Sequence, residues 1–274
     1  MRRLIAGPTA IVGAAILVLF LLTALAAPWV SPADPTLQNL DARLSPPGTE
    51  GYLLGTDRLG RDILSRILWG ARLSLLVAIA AVAISVLLGV TLGLISGYVG
   101  GWIDDLLMRL ADIQLSLPFI LLVIAIIAAL GTSLTNTVLT LGVTGWVIFA
   151  RVVRGEVLSL KERDFIAAAR ALGSRHWRIL VRHLLPNVAG PLIVVSTLQL
   201  ATMIIVEAAL SFLGLSGVPP EVPSWGQMLA DGREVLFFGG WWVATFPGVA
   251  ISLVVLGINL FGDALAEGLD PRSR

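Results

Sequence analysis

Few side chains in this sequence could carry out covalent or metal chemistry. The chain contains no cysteine, which excludes disulfides, thiolate nucleophiles and cysteine metal sites. Its two histidines, His176 and His183, lie seven residues apart, and two imidazoles with no third ligand nearby make a poor metal site. We therefore predict no metal site and interpret both histidines as surface or interface residues.

One carboxylate, Glu207, lies well inside an apolar segment. Burying an acid in a membrane is costly unless the acid is paired or hydrated, so such a group is a candidate for function by default. We weigh a place for Glu207 on a solute path against a role in packing or in shaping an outer gate, and we favour the second role.

The same segments argue against two classes of membrane protein. An intramembrane protease would need a nucleophile with a base, or paired carboxylates, inside the apolar segments, which contain no histidine or cysteine. A self-sufficient channel or an ion-coupled carrier usually shows several intramembrane charges, or broken helices in paired halves, and neither pattern is evident. We predict no catalytic residue and no enzyme.

The segments that must position these side chains are long and apolar. Hydrophobic residues make up 57% of the 274 residues and charged residues only 14%, too few charges to cover a water-soluble domain of this size. No charge occurs in residues 73–103 or 113–150, and a spanning helix needs about 20 apolar residues. We predict an all-α, polytopic membrane protein with about six transmembrane helices, at residues 10–30, 73–97, 106–130, 134–153, 188–213 and 241–262.

Several segments leave room for alternatives. The uncharged stretch 4–27 is either a retained helix, which we favour, or a cleaved signal peptide. The apolar stripe at 63–71 fits a short helix on the outer membrane surface or a simple lead-in to the second span. Residues 216–240, with three prolines, are expected to be ordered but irregular.

Two local patterns carry further expectations. Gly89, Gly93 and Gly97 recur every four residues and share one helix face, which permits close approach of another helix. We favour packing within the chain over packing against a second subunit. Asp104 and Asp105 are expected to be solvated, and Asp105 has Arg109 at the i,i+4 spacing of a helical ion pair.

The loops indicate how the chain crosses the membrane. Cytoplasmic loops carry an excess of Lys and Arg. If the N-terminus is cytoplasmic, thirteen of the basic residues lie on the cytoplasmic side of the membrane and six on the outer side, which predicts that both termini are cytoplasmic. The inside set is Arg2, Arg3, Arg109, Arg151, Arg154, Lys161, Arg163, Arg170, Arg175, Arg178, Arg182, Arg272 and Arg274, and the outside set is Arg43, Arg58, Arg61, Arg66, Arg72 and Arg233.

The densest basic loop, residues 155–186, has a pattern of its own. Residues 167–172 favour a helix, and Gly173 can end it in a left-handed cap. Residues 177–185 form a second, basic and amphipathic segment, and Pro186 lies near the start of the fifth span. Two short helices joined at a glycine predict a protruding knob with a small tip at Ala167, Ala168 and Ala169. Alternatively, the segment is only a basic loop that obeys the positive-inside rule.

The spacing in this loop resembles the cytoplasmic coupling loop of ATP-binding-cassette (ABC) importer permeases. That pattern is Glu-Ala-Ala, three residues, Gly, nine residues, then Ile, any residue and Leu-Pro. Ala168, Ala169, Gly173, Leu185 and Pro186 fall on it, whereas Ala167 replaces the Glu and His183 replaces the Ile. Residues 54–66, 210–215 with 223–226, and 259–265 with 269–272 are similar, in order, to blocks of the dipeptide/oligopeptide/nickel permeases, specifically their second, C-type subunit.

The resemblance implies a type I ABC importer permease fold in a bacterial inner membrane. It implies residues 1–72 as an N-terminal helix and outer loop, residues 73–274 as the core permease domain, and a coupling loop at 155–186. A homologous second permease, two cytoplasmic ATPases, an extracytoplasmic binding protein and membrane lipid, but no nucleic acid, would be the partners. The implied ATPase-coupling residues are Ala167, Ala168, Ala169, Arg170, Leu172, Gly173, His183, Leu185 and Pro186.

ATP chemistry is expected to belong to the partners. The sequence has no G-x-x-x-x-G-K-[ST] motif, and its only lysine, Lys161, follows a leucine, so no phosphate-binding loop is predicted. ATP and Mg²⁺ would be bound by the ATPase subunits, and this chain would bind no cofactor. By resemblance the solute is a peptide, with nickel complexes and glycosides as alternatives.

Overall fold

The computed structural model describes residues 7–269. Arg2, Arg3, Arg272 and Arg274, which were used in assigning the orientation, lie outside the described residues. Within that range the chain is helical and contains no β-strand, which confirms the predicted all-α class. The α-helices are α1 Pro8–Val30, α2 Ile63–Val99, α3 Gly101–Leu115, α4 Phe119–Leu130, α5 Leu134–Thr144, α6 Trp146–Leu160, α7 Asp164–Ala171, α8 His176–Ile179, α9 Leu185–Phe212, α10 Trp225–Val235 and α11 Trp242–Leu269.

Long apolar helices form the body of the protein. Within residues 7–269, five are long and apolar enough to cross a membrane: α1, α2, α5 with α6, α8 with α9, and α11. A sixth span results if the bent pair α3 and α4 is counted as one, which agrees with the predicted number. We call the end of the bundle that carries α7 and α8 the knob end, and the end that carries residues 31–62 and α10 the loop end.

The third predicted span is broken, contrary to the continuous helix expected at 106–130. α3 and α4 meet at 92°, and the break falls at Ser116, Leu117 and Pro118. Proline has no N–H to donate, and it disfavours helical geometry at the residue before it. The gap left between the third and fourth predicted spans, residues 131–133, is a turn, because Gly131 has a φ of 86° and Ser133 caps α5 by accepting from the Asn136 N–H at 3.0 Å.

The second span begins earlier than predicted. α2 starts at Ile63, where the Asp62 carboxylate caps it by accepting from the Ser65 N–H at 2.8 Å. Of the two alternatives for residues 63–71, the lead-in is therefore correct. The division proposed between residues 72 and 73 falls within this helix.

α2 packs closely against α6 through its glycine face. A Cβ added at Gly93 would lie 2.6 Å from the carbonyl oxygen of Ala150, and one added at Gly97 would lie 2.9 Å from Val157. Such distances leave no space for a side chain, so the two backbones touch. Packing within the chain, the favoured alternative for the three glycines, is confirmed.

The loop at 216–240 is more regular than expected, because α10 occupies its second half. Ser224 caps this helix by accepting from the Gln227 N–H at 3.2 Å. Trp225 is fully buried, and its Nε1–H donates to the carbonyl of Ile67 in α2 at 3.0 Å. The prediction of an irregular segment was therefore wrong for residues 225–235. The buried Trp225 holds α10 against α2.

Candidate functional site

The knob consists of α7, the turn 172–175, α8 and a π-helical turn at Leu180–Leu184 that runs into α9. Gly173 has a φ of 74°, its N–H donates to the carbonyl of Arg170 at 2.9 Å, and the Ser174 N–H donates to that of Ala169 at 3.0 Å. These two bonds define a Schellman motif, which requires a left-handed residue at the position of Gly173. The predicted left-handed cap is present.

Pro186 lies at the start of α9, as predicted, and the second helix of the knob runs into α9 without a break. α8, the π-turn and α9 form one continuous helix, His176–Phe212. Pro186 lacks the N–H that would bond to the carbonyl four residues earlier, and a wider turn accommodates this defect. His183 is half-buried beside the fully buried Leu184, and Leu185 is half-buried at the start of α9.

The surface of the knob exposes large apolar side chains among basic ones. Leu172 is 86% and Trp177 is 73% exposed, next to the exposed Arg170 and Arg178. Exposed apolar side chains next to charged ones are typical of surfaces that contact another protein or a membrane. We call the surface formed by Leu172 and Trp177 the knob face.

Fewer alanines are exposed at the tip of the knob than predicted. Ala167 and Ala168 are exposed, whereas Ala169 is only 7% exposed. Ala169 lies on the same side of α7 as the fully buried Ile166, as expected for residues three apart on a helix. Two alanines, not three, are open to a partner.

Asp104 is buried, so the prediction that it is solvated was wrong. Its two carboxylate oxygens accept from Nε and Nη2 of Arg154 at 2.5 and 2.6 Å, and one of them also accepts from the Ser96 hydroxyl. The start of α3 is thereby bonded to both α6 and α2 at the knob end. The pairing of Asp105 with Arg109 stays a prediction.

Glu207 in α9 is 1% exposed and faces α2. Its Oε2 accepts from the Ser74 hydroxyl at 3.1 Å, and its Oε1 accepts from the Ser211 hydroxyl at 2.8 Å. A buried carboxylate needs such partners, and here they join two spans. The arrangement favours the packing role, and a place on the solute path stays a prediction.

A buried ion network lies at the loop end and was not predicted. Asp57 Oδ2 accepts from Arg61 Nε at 2.6 Å, and Asp231 Oδ2 in α10 accepts from Arg61 Nη2 at 3.2 Å. Arg66 in α2 is 1% exposed and lies 3.6 Å from Asp57 and 3.7 Å from Asp231. Each buried guanidinium therefore faces the same two carboxylates.

The edge of this network is open to solvent. Arg58, 38% exposed, lies 3.3 Å from Asp231 and also pairs with Glu234, which is 55% exposed. Burial raises the pKa of the Asp231 carboxyl, and the guanidinium groups of Arg66, Arg58 and Arg61 oppose that rise. We call Asp57, Arg61, Arg66 and Asp231 the loop-end network.

The described residues offer no metal site, because no group of three His, Cys, Asp or Glu side chains between residues 7 and 269 could hold an ion. The arginines of the loop-end network entered the sequence prediction only through the side of the membrane assigned to them. His176, predicted to be a surface or interface residue, is exposed and is bonded to Tyr98 in α2, a partner that was not predicted. No signal in a single sequence links residues this far apart.

Comparisons with known proteins agree on one family. Residues 89–274 match the family model "binding-protein-dependent transport system inner membrane component", and residues 1–47 match "N-terminal TM domain of oligopeptide transport permease C". The chain is 44% identical to the di/tripeptide transport system permease protein DppC of Pseudomonas aeruginosa, over 95% of this chain and 87% of that protein. It is 45% identical to the dipeptide transport system permease protein DppC of Escherichia coli, over 96% and 89%.

A solved structure shares the fold. The methionine ABC transporter MetNI, in an inward-facing conformation, contains a chain that matches with a TM-score of 0.61 and 21% identity. The match covers 76% of this chain and 98% of that one. At this identity the likeness shows the type I fold alone.

Proposed function

The chain belongs to the family of binding-protein-dependent transport system inner membrane components, the permeases of ABC importers, and from this membership we propose that it is the C-type permease subunit of a peptide importer. It is a multi-pass inner-membrane protein and not an enzyme. The permease relatives reported above are named for dipeptides and for di- and tripeptides, which supports peptides over nickel complexes and glycosides as the solute.

The observation that carries the proposal is the knob face. In the proposed assembly two cytoplasmic ATPases bind ATP and Mg²⁺ and dock on this permease and on a homologous second permease, while an extracytoplasmic binding protein delivers solute to the loop end. The knob end, with both termini, is cytoplasmic. The residues proposed for ATPase contact are Ala167, Ala168, Arg170, Leu172 and Gly173, and those proposed to shape the knob behind them are Ala169, His183, Leu185 and Pro186.

The mechanism follows from a rigid knob on a bundle that has no ATP site of its own. Closure of the docked ATPases on ATP draws the two knobs together, and the spans reorient to open the solute path outward. The Schellman cap at Gly173 holds α7 and α8 at a fixed angle, so force on α7 reaches α8. In this scheme residues 73–274 carry the transport, with residues 1–72 attached to them.

Loss of the knob face tests the proposal. We expect Leu172→Asp, and separately Trp177→Asp, to abolish co-purification of the ATPase subunits from detergent-solubilised membranes. A hot-spot side chain is worth about 2 kcal/mol or more, which is roughly a thirtyfold loss of affinity. Trp102→Asp is the matched control, since Trp102 is also 74% exposed in α3 at the knob end but lies outside the knob face. Equal retention of the ATPases by all three variants would refute the docking role.

Topology gives an independent test. Because the chain has no cysteine, Leu172→Cys introduces a single thiol, which a membrane-impermeant maleimide should label in inverted vesicles and not in intact cells. Labelling from outside would place the knob beyond the reach of any ATPase, and the proposed function would fall with it.

Gly173 provides a second functional prediction. We expect Gly173→Val to uncouple transport, because a β-branched residue in the left-handed region is strained by about 1–2 kcal/mol or more, although an added Cβ would touch nothing within 4 Å. Asparagine enters this region more readily, so Gly173→Asn should keep most activity. The measurement is solute taken up per ATP hydrolysed in proteoliposomes. A Val variant that transports at the full rate would show that the cap is not required.

A further inference from the structure

Tyr98, the penultimate residue of α2, contacts both helices of the knob. Its hydroxyl shares a hydrogen bond of 2.7 Å with Nδ1 of His176 in α8, and the two rings meet edge to face with 5.6 Å between centroids. The guanidinium carbon of Arg170 in α7 lies 5.5 Å from the centroid of the same ring, within the range of a cation–π interaction. One phenol ring thus touches the knob on either side of Gly173.

The backbone beneath Tyr98 is fixed in place. Gly97 packs so closely on Val157 of α6 that an added Cβ would lie 2.9 Å from its side chain. The carbonyl of Gly97 also accepts from Nζ of Lys161, just after α6, at 3.2 Å. Because this end of α2 is bonded on several sides, Tyr98 is a defined attachment point and not a loose surface aromatic.

α2 connects this attachment point with the opposite end of the molecule. Its 37 residues span about 55 Å at 1.5 Å per residue. At the loop end it carries Arg66, which lies beside Asp57 and Asp231 of the loop-end network. A displacement applied to Tyr98 acts on a helix whose other end is bonded to α10.

We propose that Tyr98 is the positioning residue through which movement of the knob is transmitted to α2, a role that rests on the proposed function. Tyr98 contacts the knob through His176 in α8 and Arg170 in α7. The phenol ring acts through these side chains and contacts neither nucleotide nor solute. When the ATPases move the knob, α2 follows because the ring is held by both helices.

A second route competes with this one. α8, the π-turn and α9 form one continuous helix, so knob movement could pass directly into α9 without Tyr98. The two routes differ in what happens when the Tyr98 contacts are removed while the knob face and α9 stay intact. Leu172 and Trp177, the exposed apolar side chains of the knob face, are not among the contacts of Tyr98 described above. Arg170 is such a contact, but it keeps its charge and its exposed position when the ring is removed, so ATPase docking should survive the change.

The test uses the full importer complex in proteoliposomes. We expect Tyr98→Ala to lower the solute taken up per ATP hydrolysed by about two- to thirtyfold, the range of coupling effects seen for residues that link distant sites. Tyr98→Phe, which keeps the ring, should lose less, and co-purified ATPase should be unchanged in both. Tyr52→Phe is the matched control, because it removes the other phenol hydroxyl of the chain, which accepts from Asn39 Nδ2 at the loop end.

A double-mutant cycle separates transmission from simple stability. If the bond between Tyr98 and His176 carries the movement, Tyr98→Phe combined with His176→Gln should be no worse than the poorer single variant. Additive losses, or an unchanged ratio of solute to ATP in Tyr98→Ala, would overturn the proposal in favour of the α9 route. Loss of the ATPases from the Tyr98 variants would also overturn it, since Tyr98 would then only shape the docking surface. Failure of the proposed function looks different, because the wild-type chain itself would bind no ATPase.

Discussion

Replacing Asp231 with asparagine will lower the free energy of unfolding by about 3–5 kcal/mol, the usual cost of removing one partner from a buried ion pair. Arg61 and Arg66, 5% and 1% exposed, would keep their charges with only Asp57 to balance them. Neither Nη atom of Arg66 has a hydrogen-bond partner among the described residues, so only the charges of the nearby carboxylates offset the cost of burying its guanidinium group. The measurement is thermal or chemical unfolding of the purified protein in detergent.

The network supplies its own control. Glu234→Gln removes a carboxylate that is 55% exposed and pairs with Arg58 at the edge, and exposed pairs contribute about 0–1 kcal/mol. Adding Arg66→Met to Asp231→Asn should recover part of the loss, because it removes a charge that the first substitution leaves uncompensated. If Asp231→Asn and Glu234→Gln unfold alike, the buried charges do not hold α10 to α2.

Some of the fold was predictable because its causes are local. Blocks such as 113–150 contain no charge over nearly twice the thickness of a bilayer core, and this requires spanning helices whatever their partners. Gly173 follows a strong helix-forming run, and the left-handed cap at that position needs no information from elsewhere. The glycine repeat in α2 predicted close helix packing for the same reason.

Other features were missed although a local signal was present. Pro118 lies inside an apolar block long enough for the continuous span predicted at 106–130, yet proline breaks the hydrogen-bond ladder of any helix. Ser224 and Gln227 have the spacing of a capping box, Ser-x-x-Gln, before α10. The prolines at 219–223 outweighed that signal and led to the expectation of an irregular loop.

Only part of the candidate site could be predicted from the sequence, because its other contacts join distant parts of the chain. Asp104 and Arg154 are 50 residues apart, Arg61 and Asp231 are 170 apart, and Tyr98 and His176 are 78 apart. Each side chain taken alone fits a solvated charge or a surface aromatic. Only packing of α2 against α3, α6, α10 and the knob brings the partners together.

Enlarging Gly93 will destabilise the protein even with a single methyl group. The added Cβ of Gly93→Ala would lie 2.6 Å from the carbonyl oxygen of Ala150 and 2.9 Å from Cβ of Val153. Both are held by the α6 backbone, so the helices must separate, and overpacking of this kind costs about 1–3 kcal/mol. Thermal unfolding in detergent should show the loss, and Gly93→Leu should show a larger one.

Gly155→Ala is the matched control, since Gly155 lies in α6 and an added Cβ there would meet nothing within 4 Å. Alanine is the better helix former by about 0.5–1 kcal/mol, so this variant should unfold at the same temperature as the wild type or higher. If the same Gly→Ala change lowers the unfolding temperature at Gly93 and does not lower it at Gly155, the close contact of α2 with α6 is the cause of the destabilisation. Equal effects would mean that helix propensity, and not the approach of the two backbones, determines the result. Gly97 lies on this same face of α2 and precedes Tyr98. If the contact of α2 with α6 is loosened in Gly93→Ala, the solute transported per ATP should therefore also fall, whereas Gly155→Ala should leave that ratio unchanged.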